Sequence, residues 1–424
     1  MNALPPDRWR AAELLAQPHR LCFVAAALVW AASALAWALA LARPLPAGTA
    51  VPPGTLHALA FALGPMPLFF AGFLFTSAPK WLRAPPVPTR ALLPGVLALL
   101  AGWLLLIALG AWCTQVAALG LALCAAGWAA LLRHLWTLHR RATRAAGHFD
   151  AIAGVCALLA LALAAAAIAL LLGRSDSARE IARAAFWGTV LPVFLIASHR
   201  MLPFLTHADA PQPDDAESAR DARWVVALPL GASLLLALPA LPGWPPHWSA
   251  ALWPLRLLLP GAAAVLTLWL ALRWRAHPAT RAPLLRRLLR AFAWSGLAWL
   301  ALAAAALPTL GAAGRSTLEA IGLHAMALGF AGGTMLSMVT RLSATQAGHS
   351  QAVDAVARAL EAVLQVVVVS RLLALAWPPS ARLALPLAAL LWAAIALVWL
   401  LRHGRWAGTC RMNALCSRND CPKE

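Results

Sequence analysis

Residues 91–132 read ALLPGVLALLAGWLLLIALGAWCTQVAALGLALCAAGWAALL, a run of 42 residues without one charged side chain. The hydrocarbon core of a bilayer is about 30 Å thick, so a helix that rises about 1.5 Å per residue crosses it in about 20 residues. As one helix, the run would be about 63 Å long, which is far more than one crossing requires. We therefore predict two membrane-spanning helices here, joined by a bend within residues 110–115.

The same apolar pattern continues along the chain. Hydrophobic residues make up 62% of the 424 residues and charged residues 12%, about half the charge of a typical soluble protein. In lipid, outside a closed barrel, only helices satisfy all of their own backbone hydrogen bonds. We therefore predict an all-α, polytopic integral membrane helix bundle with about twelve transmembrane helices. The predicted spans cover residues 21–42, 56–78, 91–109, 114–132, 151–173, 183–206, 224–242, 249–272, 288–308, 318–340, 356–377 and 383–402.

The segments between the predicted spans are short. The longest polar one covers residues 207–223, which leaves no room for a soluble domain. The first span is too long for a signal peptide, and no small-residue cleavage site follows it. We predict a cytoplasmic N-terminal segment over residues 1–20, a twelve-helix transmembrane domain over 21–402 and a cytoplasmic, cysteine-containing tail over 403–424.

The basic residues predict the orientation of the bundle. With the N-terminus inside, 26 of the 34 Lys and Arg residues fall on the inner side. Such a bias places both termini in the cytoplasm and favours an even number of spans. The net charge of +19 is therefore a feature of topology, which indicates contact with anionic membrane lipid and not with nucleic acid.

Three cysteines lie in the predicted tail, at Cys410, Cys416 and Cys421. Their C-x5-C-x4-C spacing matches no zinc or iron–sulfur pattern. We predict a solvated tail, and the alternative is a site for a soft metal such as copper(I).

Ionisable side chains inside a membrane are costly, so each one is a candidate for function. The histidines within predicted spans are His57, His199 and His324, and the arginines within outer halves of spans are Arg256 and Arg371. No acidic residue falls near mid-depth, which argues against an ion-coupled transporter. No carboxylate is placed to orient a membrane histidine, which argues against hydrolase chemistry.

Two of these histidines lie in matching stretches, LHALAFALG at 56–64 and LHAMALGFAGG at 323–333. The two predicted spans run in the same direction and place His57 and His324 in their outer halves. Two such imidazoles predict axial ligands for a haem between two helices. The alternative is that each is a hydrogen-bonded core residue. Their distances from the inner ends of the spans differ by about 9 Å, which tilt must absorb.

Small residues recur every four positions beside the second histidine, at Ala325, Gly329, Gly333 and Ser337. Such a stripe either leaves room for a macrocycle or marks a close helix–helix contact.

A haem carries two propionates, which need cationic partners. Arg256 and Arg371 lie on the predicted outer side, and arginine pairs well with carboxylates. The alternative is that both side chains extend to the outer interface. A copper or second metal site is a further hypothesis for His199, His207 and His349, with solvated loop histidines as the alternative.

At three blocks the chain resembles the NnrS family of bacterial membrane proteins. The blocks are residues 56–81 (LHALAFALG…AGFLFTSAPKW), 198–206 (SHRMLPFLT) and 322–341 (GLHAMALGFAGGTMLSMVTR). The resemblance implies haem and copper as cofactors, and a role in the response to nitric oxide and nitrosative stress. It implies His57 and His324 as candidates for haem, followed by His199 and His349 for metal.

The first functional hypothesis is thus a haem-binding protein of the bacterial inner membrane that binds, or protects against, nitric oxide. Denitrification or respiratory proteins are the expected protein partners, and whether the chain turns over a substrate is left open. The alternatives are a twelve-span secondary transporter or exporter, and a cofactor-free assembly partner of a respiratory complex.

Overall fold

The computed structural model describes residues 9–43, 48–143, 147–196, 216–241, 243–275, 283–346 and 354–408. All regular secondary structure in these ranges is helical. The predicted all-α bundle is therefore confirmed. The helices are α1 (Pro18–Ala42), α2 (Pro53–Leu63), α3 (Pro65–Leu82), α4 (Thr89–Leu109), α5 (Thr114–Arg140), α6 (Gly147–Leu171), α7 (Ser175–Ala185), α8 (Ala216–Ala237), α9 (Pro246–Ala251), α10 (Trp253–Arg275), α11 (Pro283–Ala305), α12 (Ala312–His324), α13 (Gly333–Gln346), α14 (Ala355–Ala376) and α15 (Ala381–Ala407).

Two π-helical segments interrupt this pattern. Phe186–Val190 joins α7 to a helical stretch over residues 191–196, and Ala325–Gly332 joins α12 to α13. A π-helix is rare and is frequently found at functional sites.

Ten helical segments in the described residues are long and apolar enough to cross a membrane. They correspond to ten of the predicted spans. The predicted spans over 183–206 and 224–242 are the two exceptions. The first runs into residues outside the described ranges, and the apolar part of the second, Ala227–Ala237, is short. The number twelve therefore stays a prediction.

The long apolar run at 91–132 does form two helices, with the break where it was predicted. α4 ends at Leu109 and α5 begins at Thr114. The two helices then pack tightly, because Gly102 and Gly120 let one backbone touch the other. A Cβ on Gly120 would lie 2.7 Å from the Gly102 carbonyl oxygen, so no larger residue fits without a shift.

The two ends of the described chain meet on one face of the bundle, which we call the terminal face. The Trp9 indole Nε1–H donates to the Gly404 carbonyl at 3.0 Å, and the Arg10 amide donates to the Gly408 carbonyl at 2.8 Å. Helices α1 and α15 also pack against each other. Chain ends on the same face fit an even number of crossings. That this face is cytoplasmic stays a prediction.

An aromatic cluster joins α1, α3 and α15 in the core. The Trp30 and Trp392 rings lie 4.8 Å apart, and Phe69 and Trp399 meet edge to face at 5.5 Å. Lipid tails are as apolar as this core, so packing contacts, more than burial from water, stabilise the arrangement.

Candidate functional site

Both histidine-bearing spans change their helical geometry close to the histidine. The predicted second span is a kinked pair of helices: α2 ends at Leu63, and α3 begins at Pro65. Proline has no amide hydrogen to donate, so the helix breaks there. In the other span, the α-helix ends at His324 itself and the π-helix Ala325–Gly332 follows.

The ring of His324 is held by its own helix. Its Nδ1 lies 2.8 Å from the Ala320 carbonyl oxygen. An oxygen of that kind only accepts, so Nδ1 carries the hydrogen and donates it. Nε2 therefore keeps its lone pair. A metal-ligating histidine is commonly oriented by a hydrogen bond of this type.

The ring of His57 is held by aromatic contacts instead. It lies 4.2 Å from the Trp37 ring and 4.6 Å from the Phe61 ring, measured between centroids. Its Nδ1 is buried and has no hydrogen-bond partner among the described residues. A buried nitrogen without a partner costs free energy, and the ring contacts with Trp37 and Phe61 help to offset that cost.

The structure brings His57, His324 and Arg371 together. Each lies within electrostatic range of the other two, and all three side chains are half-buried. Helices α2 and α12, both described in full, do not pack closely against each other. We call the region between α2 and α12 that these three side chains border the gap.

The kink between α2 and α3 bears on the difference in depth that the sequence predicts for His57 and His324. Counting residues along straight helices separates the two histidines by about 9 Å in depth. Gly64 and Pro65 bend the first of these spans, so the straight-helix count does not apply.

The two embedded arginines differ in their partners. Arg256 donates to Glu319 at 2.9 Å, and the same carboxylate lies 3.8 Å from Arg183. This group ties α7, α10 and α12 together. Arg371 has neither a hydrogen bond nor an ion pair within the described ranges. Of the two predicted propionate partners, only Arg371 lacks a carboxylate partner among the described residues.

The stripe of small residues beside His324 is a helix contact. A Cβ on Gly329 would lie 2.5 Å from the Trp294 ring, and one on Gly333 would lie 3.1 Å from Ala291. Both neighbours belong to α11. Of the two alternatives, this favours close packing over a slot for a macrocycle at these positions.

Several predicted metal ligands lie outside the described residues: His199, His207, His349, Cys410, Cys416 and Cys421. The copper sites expected there stay predictions. Over the described ranges, no group of three or more His, Cys, Asp or Glu side chains is arranged to hold a metal ion.

A second pair of histidines was missed from the sequence. His19 and His403 are 2% and 3% exposed and line one cavity of about 20 Å³ near the terminal face. Nδ1 of His403 donates to the Trp399 carbonyl at 3.1 Å, and Nδ1 of His19 lies 3.5 Å from the Thr76 hydroxyl. The cavity has room for about one water molecule.

The first and last predicted spans, residues 21–42 and 383–402, include neither His19 nor His403. Pro18, a residue type favoured in the first turn of a helix, was a usable signal for His19. For His403 there was none, because the apolar pattern ends near Leu401 while α15 continues to Ala407.

These features define an all-α, polytopic membrane protein in which two matched histidines and an arginine face a common gap. The family profile described as "NnrS protein" matches residues 13–411, nearly the whole chain. The chain therefore belongs to the NnrS family. No curated protein matches the sequence.

Proposed function

We propose that this protein binds haem in the gap between α2 and α12 and acts in the bacterial response to nitric oxide. The observation that carries the proposal is the convergence of His57, His324 and Arg371 on one gap. Imidazole is a frequent axial ligand of haem iron. Membership of the NnrS family supports the role in the nitric oxide response.

The donor set fits a haem. His324 offers Nε2 with its lone pair, because Nδ1–H is bound to Ala320. His57 keeps accessible surface on a ring whose Nδ1 is buried. Arg371 supplies an embedded positive charge with no carboxylate partner among the described residues, and a propionate would satisfy it. A bound haem would supply an iron that binds nitric oxide.

Arg256 is a second candidate for a propionate. Its guanidinium has five N–H donors, and one of them is engaged by Glu319. The Glu319 carboxylate would compete with a propionate for the same cation, so Arg371 is the stronger candidate.

The two histidines are proposed to differ in strength as ligands. A hydrogen bond from Nδ1–H to an acceptor makes the imidazole a better donor and fixes its orientation. His324 has this bond, whereas His57 has no such partner within the described residues. We therefore propose that His324 would hold a haem iron more strongly than His57 would.

The cellular setting belongs to the same proposal. An apolar bundle places the site within a membrane, where an uncharged, weakly polar gas concentrates. The bacterial inner membrane, copper at His199 and His349, and contacts with denitrification or respiratory proteins are further parts of the proposal.

The test is the visible spectrum of the protein purified from haem-replete cells, reduced minus oxidised, with and without nitric oxide. The expected result is a Soret band that nitric oxide shifts and that is absent in His324→Ala. The matched control is His403→Ala, which changes a histidine on another helix and should keep the band. A folded but colourless wild-type protein would contradict the haem proposal. It would favour the alternative of a secondary transporter.

A further inference from the structure

A second cavity lies in the half of the bundle nearer the terminal face, between α1, α3, α6, residues 191–196 and α13. Its volume is about 70 Å³. Its lining is almost wholly apolar and comprises Phe23, Phe69, Phe70, Phe73, Leu74, Trp81, Ile152, Val193, Phe194, Thr334, Met335, Met338, Val339 and Leu342.

The cavity has a closed end and a more open side. Phe69, Leu74, Val193 and Met335 are each at most 3% exposed and form part of the closed end. The half-buried members of the lining form the open side: Phe73, Trp81, Phe194, Thr334, Met338 and Leu342.

The lining decides what the cavity can hold. A water molecule needs two to four polar partners, and the lining side chains offer only the Thr334 hydroxyl and the Trp81 indole N–H as strong polar groups. Both lie on the more open side, so the closed end is expected to be dry. The residues that line an empty cavity lack dispersion contacts there, which lowers the stability of the protein. A bound apolar guest would restore part of these contacts.

The volume limits the size of the guest. An engineered apolar cavity of about 150 Å³ holds benzene or xenon. A cavity of about 70 Å³ is about half as large, which excludes a haem and favours a guest of two heavy atoms or one xenon atom.

We propose that this cavity is a docking site for an apolar diatomic gas that enters from the bilayer. It is separate from the gap beside His324, since the nearest lining residue in sequence, Thr334, follows His324 by 10 residues, roughly 15 Å along the helix. The choice of nitric oxide as the physiological guest rests on the proposed function. The gas site itself does not, because the cavity exists without haem.

The test is xenon NMR on the full-length protein in lipid nanodiscs. Wild-type protein should bind xenon saturably, and Val193→Phe should abolish that binding because the phenyl ring fills the cavity. The matched control is Val265→Phe on α10, where the valine is 71% exposed and lines no part of this cavity. It should bind xenon as the wild type does.

A second variant covers the case in which Val193→Phe fails to fold. Leu74→Ala enlarges the same cavity, so the bound-xenon resonance should shift. Absence of saturable xenon binding, an unchanged resonance in Leu74→Ala, or a lipid or detergent chain found in the cavity would each overturn the proposal.

The experiments distinguish failure of the haem proposal from failure of the gas-site proposal. Xenon binding by a protein that takes up no haem would leave the gas site standing and remove the haem function. Haem uptake without a xenon site would remove the gas site alone. If both stand, Val193→Phe should slow the association of nitric oxide with the haem, and Val265→Phe should not.

Discussion

The two histidine pairs of this bundle lie towards opposite faces and differ in their surroundings. His57 and His324 keep accessible surface and face a gap together with Arg371. His19 and His403 are almost fully enclosed, and their shared cavity holds about one water molecule.

That difference separates two uses of histidine in a membrane protein. All four imidazole rings are at least partly buried, so burial alone does not identify a cofactor site. Under the haem proposal the discriminating features are accessible surface and an oriented nitrogen, because a macrocycle needs room as well as ligands. The paired rings near the terminal face instead contact Trp399 and Thr76 and serve the packing of α1, α3 and α15.

The largest expected effect comes from replacing the two proposed haem ligands, His57 and His324, one at a time. His324→Ala should weaken haem binding by at least about 100-fold, more than the loss of an orienting partner costs. His57→Ala should keep its haem, with one open coordination position and faster binding of nitric oxide. The haem content of each purified variant measures haem binding, and stopped-flow spectra measure the rate of nitric oxide binding. Equal loss in the two variants would contradict the assigned asymmetry.

The next effect concerns the charge beside the gap. Arg371→Met should weaken haem binding by about 10- to 100-fold, as expected for a lost charge-assisted hydrogen bond of about 1.5–3 kcal/mol. It should also lower the reduction potential, because a positive charge near the iron favours the reduced form.

Arg256→Met is the control for that result. It breaks the pair with Glu319 and should cost about 1 kcal/mol of stability, since the pair is partly exposed. Haem affinity should stay close to that of the wild type. A larger loss of haem in Arg256→Met than in Arg371→Met would reverse the assignment of the propionate partner.

A third prediction tests whether the stripe of small residues beside His324 is tightly packed. Gly329→Ala brings a methyl group against Trp294 and should lower stability by about 1–3 kcal/mol, the usual cost of overpacking. Gly154→Ala is the control, since nothing lies near its Cβ and alanine favours a helix. The melting temperatures of the two variants are compared in thermal unfolding experiments monitored by tryptophan fluorescence. Equal melting points would mean that the stripe is not tightly packed.

The smallest effect is expected in the enclosed pair. His403→Phe keeps the ring contact with Trp399 and loses the hydrogen bond to its carbonyl, so it should cost about 1 kcal/mol or less. Haem content should not change. Loss of haem from this variant would mean that the enclosed pair, and not the open one, serves the cofactor.

The sequence supplied more of the fold than of the site. The break after Leu109 followed from length alone, because no single helix of 42 residues fits a bilayer. His57 and His324 could be paired because their contexts match on parallel spans. The kink at Pro65 was visible as a proline within the apolar run, and it removes the objection that straight helices raised.

Other features depend on which helices are neighbours, which one sequence does not state. Arg256 and Arg371 have similar sequence contexts, yet α10 and α12 bring Glu319 to Arg256, whereas Arg371 reaches no carboxylate among the described residues. The π-helix after His324 has no signal of its own, since its residues also suit an α-helix.

The most direct test of the central claim is a titration of haem into haem-free wild-type, His324→Ala and His403→Ala proteins, followed at the Soret band. The account predicts saturable, stoichiometric binding to the wild type and to His403→Ala, and none to His324→Ala over the same range. Equal binding to all three proteins, or to none, would contradict the claim that the open histidine pair holds a haem.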